Sequence, residues 1–153
     1  MYGLSYVRSM RRSPAIKKLK EHRLKPGLIV AHGSISDTAD EPVIVKEMVR
    51  RAIKALGGLD KIVSRGDRVI IKPNIAWNQR PEFAANTNPY VVAALVELCR
   101  EAGAGRVKVM DHTCSTNPEP SYRNSGIASA AQQAGAEVSF LNRNRFRDFP
   151  ISD

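Results

Sequence analysis

The sequence predicts an α/β domain built on a mostly parallel sheet of about four strands, in the order β-α-β-α-β-α-β. Three observations predict it. Short apolar runs recur along the chain: Leu28-Ile29-Val30-Ala31, Val69-Ile70-Ile71, Val107-Lys108-Val109 and Val138-Ser139-Phe140. The segments between them carry apolar residues at helical spacing. Glycines stand where each helix should stop, at Gly57-Gly58, Gly103 and Gly135. Strands separated by single helices are joined by right-handed crossovers into a parallel sheet.

In order, residues 28–31 follow Pro26-Gly27 and form a first strand that ends at His32-Gly33-Ser34. Thr38-Ala39-Asp40-Glu41 has capping-box spacing and starts a helix running to about Leu56. Val45, Met48, Val49, Ala52, Ile53 and Leu56 make its apolar stripe. A short turn over residues 59–63 leads into the strand Arg68-Val69-Ile70-Ile71-Lys72, whose consecutive β-branched residues suit a central strand covered on both faces. Pro73 stops it.

A loop over residues 75–87, unusually long for a compact α/β unit, carries Trp77, Arg80 and Phe83, with Trp77 read as a lid over the sheet edge. Asn88-Pro89 opens the next helix as N-cap and first residue. Cys99 lies on that helix's apolar stripe and reads as an inert core thiol. A third strand spans 106–111, a loop 112–120, a helix 125–134 and a fourth strand 137–141.

The chain has 153 residues, one domain's worth, and no run of about 18 apolar residues that would cross a membrane. Its net charge is +9, but residues 1–27 hold eight Lys/Arg against one acid, a net of +7 that leaves +2 for residues 28–153. The organisation is therefore a basic N-terminal arm, expected to be disordered, ahead of a single α/β domain. Such an arm could touch nucleic acid or an acidic partner, although Tyr2 and Tyr6 precede its charges rather than interleave with them as stacking platforms do. Arg11-Arg12 lacks the apolar stretch that follows a twin-arginine export signal, so a cytoplasmic location is expected. Two cysteines make no disulfide framework and are too few for an all-cysteine cluster or zinc site within one chain.

Placing the strand ends side by side brings His32, Ser34, Lys72, Asn74, Asp111, His112, Thr113, Cys114 and Asn142 to one edge of the sheet, with helix starts at Asn88 and Ser125 nearby. Ligands of open α/β sheets bind at this carboxyl edge. Lys72 would anchor an anionic group such as phosphate or carboxylate, with Asn74 and Thr113 as hydrogen-bonding partners. Asp111 would orient Lys72 or hold a metal through waters; alternatively Lys72 and Asp111 are a structural pair. Cys114 is the candidate nucleophile, with His32 or His112 as its base. His112 and Cys114 offer only two metal ligands, and no metal site is assigned.

The segments from Val69 to Ile75, Ala84-Ala85-Asn86-Thr87-Asn88-Pro89, Asp111-His112-Thr113-Cys114 and Tyr122-Arg123-Asn124-Ser125-Gly126-Ile127 resemble the bacterial and archaeal family catalogued as domain of unknown function three-six-two. The resemblance covers roughly residues 28–150 and implies the N-terminal half of that family's domain. Members are often fused to or encoded with ferredoxin-like four-iron–four-sulfur modules, and many carry twin-arginine signals. The resemblance therefore implies a redox or iron–sulfur setting. This chain lacks the ferredoxin cysteine run, so a cluster or metal would need ligands from another chain, such as a ferredoxin-like partner or a chain supplying the domain's second half.

Two functions follow. The first is binding of a small anionic ligand or cofactor at the sheet edge. The second is a non-catalytic module docking through its basic arm, with a truncated, inactive remnant as a further alternative. No Walker loop, G-x-G-x-x-G or H-E-x-x-H specifies a reaction.

Overall fold

A computed structural model describes residues 28–34, 40–141 and 146–148. Helix α1 spans Glu41–Ala55 with a proline in its first turn. Asp40 sits at its N-cap without a side-chain hydrogen bond, and Thr38 of the expected capping box lies outside the described residues. A single 3-10 turn, Leu59–Lys61, precedes strand β1, Arg68–Ile71. Helix α2 spans Pro89–Glu101; the Asn88 side chain accepts from the Tyr90 N–H at 2.9 Å, as the Asn-Pro start predicts. Strand β2 is Arg106–Val109, helix α3 is Glu119–Asn124, helix α4 is Ile127–Gln133, and strand β3 is Glu137–Val138.

The sheet is parallel throughout, in the order β1-β2-β3. Val69 faces Val107, Ile71 faces Val109, and Val109 faces Val138. It has three strands among the described residues, not four. Residues 28–31 form no strand there, and Leu28 and Val30 are 88% and 74% exposed. Four apolar residues become a strand only where a neighbour takes their N–H and C=O groups. These lie beside α1, where Gly33 approaches Ile44 and Met48. As a result β1 is an edge strand and β2 the central one, contrary to the sequence expectation.

Val69, Ile71, Val107, Val109 and Val138 point into one core with Ile75, Val92, Val96, Cys99, Tyr122, Ile127 and Ala131. Ile70, expected to be covered, is 64% exposed. The physical reason is that α2 packs against both α1 and α4, so the three helices share one side of the sheet. Side chains alternate along a strand, so the opposite side receives Arg68, Ile70, Arg106, Lys108 and Glu137.

Helix α1 buries less than its stripe promised: Val45 alone is buried, and Leu56 is exposed. Beside its half-buried apolar stripe, surface ion pairs tie it to α2, with Lys46 2.6 Å from Glu97 and Arg50 2.7 Å from Glu101. Helix α3 occupies a stretch expected to be loop up to residue 120. Its Pro120 falls in the first turn, where a missing N–H costs nothing. Helix α4 begins after Gly126 rather than at Ser125, which caps the end of α3. Strands β2 and β3 are both shorter than expected. Beyond their ends single bonds remain, Met110 N–H to Ile71 O and Ser139 N–H to Val109 O, each 3.2 Å.

At the amino end of the sheet the chain passes itself closely. A Cβ on Gly105 would lie 2.9 Å from the Gly66 carbonyl oxygen, so only glycine fits. No helix among the described residues is long and apolar enough to cross a membrane.

Candidate functional site

Lys72 directly follows β1, and Asp111 stands two residues beyond β2. Because the strands are parallel neighbours, both residues emerge at the same end. Asp111 is buried, and its Oδ2 accepts the Ile75 N–H at 2.7 Å. Its Oδ1 lies 2.5 Å from Lys72 Nζ, an ion pair whose geometry is not that of a directed hydrogen bond. Burial pushes the Asp111 carboxyl up. Lys72 and the N–H groups of Ile75 and His112 more than offset that and hold it below the usual carboxylate range.

Tyr122 fixes this carboxylate from behind. Its Oη accepts the Asp111 N–H at 2.6 Å and lies 2.9 Å from the Asp111 carbonyl, to which it donates. The ring stacks edge-on against Phe140 with centroids 4.9 Å apart. Burial pushes the phenol pKa up, so the hydroxyl keeps its proton. Nothing local in the sequence assigns Tyr122 a role, because it lies on a helix whose N-terminal prolines, Pro118 and Pro120, read as loop.

Asn74 and Thr113 are at the same edge, but both are engaged in shaping it. The Asn74 side chain donates to the Ala85 carbonyl at 3.2 Å and accepts the Ala76 N–H at 3.2 Å. Its backbone N–H and carbonyl bond Thr87 Oγ1 and N–H at 2.9 and 3.0 Å. Thr113 is buried and donates to the Ser115 carbonyl at 2.9 Å. Asn86 secures the far side of the loop by gripping the Trp77 backbone, while the Trp77 ring is half exposed. The long loop is thus a braced rim.

Cys114 is exposed, and its N–H donates to the Ala76 carbonyl at 3.1 Å. His112 is exposed with its ring 5.7 Å from that of Phe146. His32 and Ser34 are exposed on the segment beside α1, which forms no strand. Asn142 lies outside the described residues. Ser125 is buried, with its Oγ 3.3 Å from the Tyr122 carbonyl and accepting the Ile127 N–H at 3.4 Å, so it is no open helix start. Cys99 is buried, and burial raises its pKa, as expected of a core thiol. Among the described residues no three His, Cys, Asp or Glu side chains group as a metal site.

The sequence model of the family described as "Domain of unknown function (DUF362)" matches residues 69–153. The chain belongs to this family. The DUF362 match contains Lys72, Asn74, Asp111, Thr113, Cys114 and Tyr122. It falls on the C-terminal part of the chain and leaves residues 1–68 outside, a later start than the expected 28–150. Among curated proteins, the chain is similar to "Thylakoid-associated protein sll1697" of Synechocystis sp., with 44% identity over 55 residues. That alignment covers 36% of this chain and 17% of the relative, so the chain spans a small part of that protein's length. No solved structure matches.

Proposed function

We propose that the DUF362 domain binds a small anionic ligand or cofactor at the carboxyl edge of its sheet, with Lys72 as the electrostatic anchor. One observation carries this reading. In the Lys72–Asp111 pair the lysine side chain is 70% exposed and the aspartate 3%. A sunk carboxylate fixes where the ammonium sits and leaves its other N–H bonds facing solvent, as an anion subsite requires. Asp111 is the orienting group. Asn74 and Thr113 hold the rim in shape, and a ligand would meet them only by displacing a loop hydrogen bond. Cys114 is the exposed thiol of the same rim. In a redox or iron–sulfur-linked setting it is the thiol open to iron, with the other ligands supplied by another chain.

Titration of the full chain with inorganic phosphate, followed by amide NMR shifts, tests this. Shifts should gather at residues 72–76 and 111–114, and Lys72→Met should weaken binding about tenfold or more while the spectrum stays folded. Unchanged affinity in that variant sinks the reading. Metal content and visible absorbance of anaerobically purified protein separately test the iron–sulfur setting.

The alternative reading rests on charge. Residues 1–27 carry +7, and an arm of that charge suits an anionic surface or acidic partner in the cytoplasm. Binding through it should fall steeply with salt and vanish on deletion of residues 1–25, whereas binding at the sheet edge survives deletion.

A further inference from the structure

Parallel sheets are ordinarily covered by helices on both faces. Here α1, α2 and α4 share one side, and the opposite face is bare among the described residues. Its surface pairs Arg68 with Arg106, Ile70 with Lys108, and Lys108 with Glu137 across the strands. Arg106 and Lys108 share the Glu137 carboxylate, Lys108 at 2.9 Å. Arg68 has no ion-pair partner among the described residues. One carboxylate therefore answers three cations, and the 64% exposed Ile70 stands among them.

We infer that this bare face docks an amphipathic helix, from another polypeptide, that presents an apolar stripe edged with carboxylates. Width favours a helix. Three strands about 4.8 Å apart give a face about 10 Å across, the diameter of one helix. Charge decides between occupants. A second copy would bring the same excess of cations, three against one carboxylate, to the interface from both sides. The chain's first 27 residues carry +7 and are mismatched in the same way. Nucleic acid would meet Glu137 along the β3 edge of the face and, among the described strand residues, no aromatic side chain to stack on. A helix with leucines at i, i+3, i+4 and i+7 flanked by glutamates satisfies both Ile70 and the cations.

The experiment is amide NMR titration of the full chain with a designed peptide of that pattern, and with the same peptide carrying lysine in place of glutamate. Saturable shifts should centre on Arg68, Ile70, Lys108 and Glu137 for the acidic peptide only. Ile70→Glu and Arg68→Glu, each confirmed folded by its spectrum, should weaken binding about tenfold. Shifts confined to residues 1–27, or wild-type affinity in either variant, overturn the inference. Self-association abolished by Ile70→Glu would instead assign the face to a second copy. Shifts at the same residues with duplex DNA, insensitive to Ile70→Glu, would assign it to nucleic acid. Either result also overturns the inference.

Discussion

One tyrosine satisfies both backbone groups of one aspartate: Tyr122 Oη binds the N–H of Asp111 at 2.6 Å and its carbonyl oxygen at 2.9 Å. The strand ladder ends at Val109, so Asp111 emerges from the sheet with two buried polar groups and no strand neighbour to take them. The phenol stands in for that neighbour. It links helix α3 to the sheet edge and fixes the direction in which the Asp111 carboxylate points.

Tyr122→Phe keeps the ring in the core but leaves both groups unpaired. The expected cost is about 1–3 kcal/mol, since a buried orphaned donor or acceptor loses its full desolvation penalty. Urea unfolding followed by circular dichroism should show a lower midpoint at an unchanged slope. A midpoint within error of wild type would mean that solvent replaces the phenol.

The Asp111 carboxyl is held below its usual range, which sets the sign of a pH effect. A depressed pKa contributes stability above the unfolded carboxyl value of about 3.9 and loses it as pH falls through the folded value. Asp111→Asn should therefore cost most at neutral pH, about 1–3 kcal/mol from the weakened Ile75 hydrogen bond. The exposed Lys72 adds little more, because solvent screens it. The gap between wild type and variant should narrow as pH drops below about 4. A constant gap across pH would contradict an ionised Asp111.

The two thiols should separate cleanly. Cys114 is exposed, and Cys99 is buried with its pKa pushed up. A thiol-specific chromogenic reagent should label one equivalent promptly. The second should react on the order of a hundredfold more slowly, and freely only in denaturant. Cys114→Ser should remove the fast phase alone.

Apolar burial and surface charge contribute very differently to stability. Ile127→Ala empties a fully buried position in the main core and should cost about 2–5 kcal/mol. Arg50→Ala breaks pairs to Glu101 and Glu97 at the helix surface and should cost at most about 1 kcal/mol, less at high salt. Equal losses in a urea series would mean that these exposed ion pairs hold α1 more strongly than solvent screening allows.

Gly105→Ala would put a Cβ 2.9 Å from the Gly66 carbonyl and 3.0 Å from its Cα, both backbone atoms that cannot rotate away. Overpacking of this kind costs about 1–3 kcal/mol. A thermal melt should shift down, and an unchanged midpoint would show that the 66–67 turn can yield.

The sequence by itself determined helices α1, α2 and α4, though not α3, and which strand ends gather at one edge of the sheet. Asn88-Pro89, the periodicity of Val92, Val96 and Cys99, and the glycine at 103 are local signals, set by backbone sterics and side-chain spacing that hold in any context. Lys72 and Asp111 could be placed together because parallel order puts successive strand ends on one edge. Tertiary structure alone decided the rest. The run Val69-Ile70-Ile71 reads as doubly covered, yet whether Ile70 is buried depends on which side α1, α2 and α4 take, and no local pattern carries that. Residues 28–31 have strand chemistry, but a strand is a relation between two chains of backbone, and β1 shows no partner on its outer edge among the described residues. Tyr122 meets Asp111 across 11 positions of chain because helix α3 docks there. Hydrogen bonds at such separations follow from packing, which only the folded chain specifies.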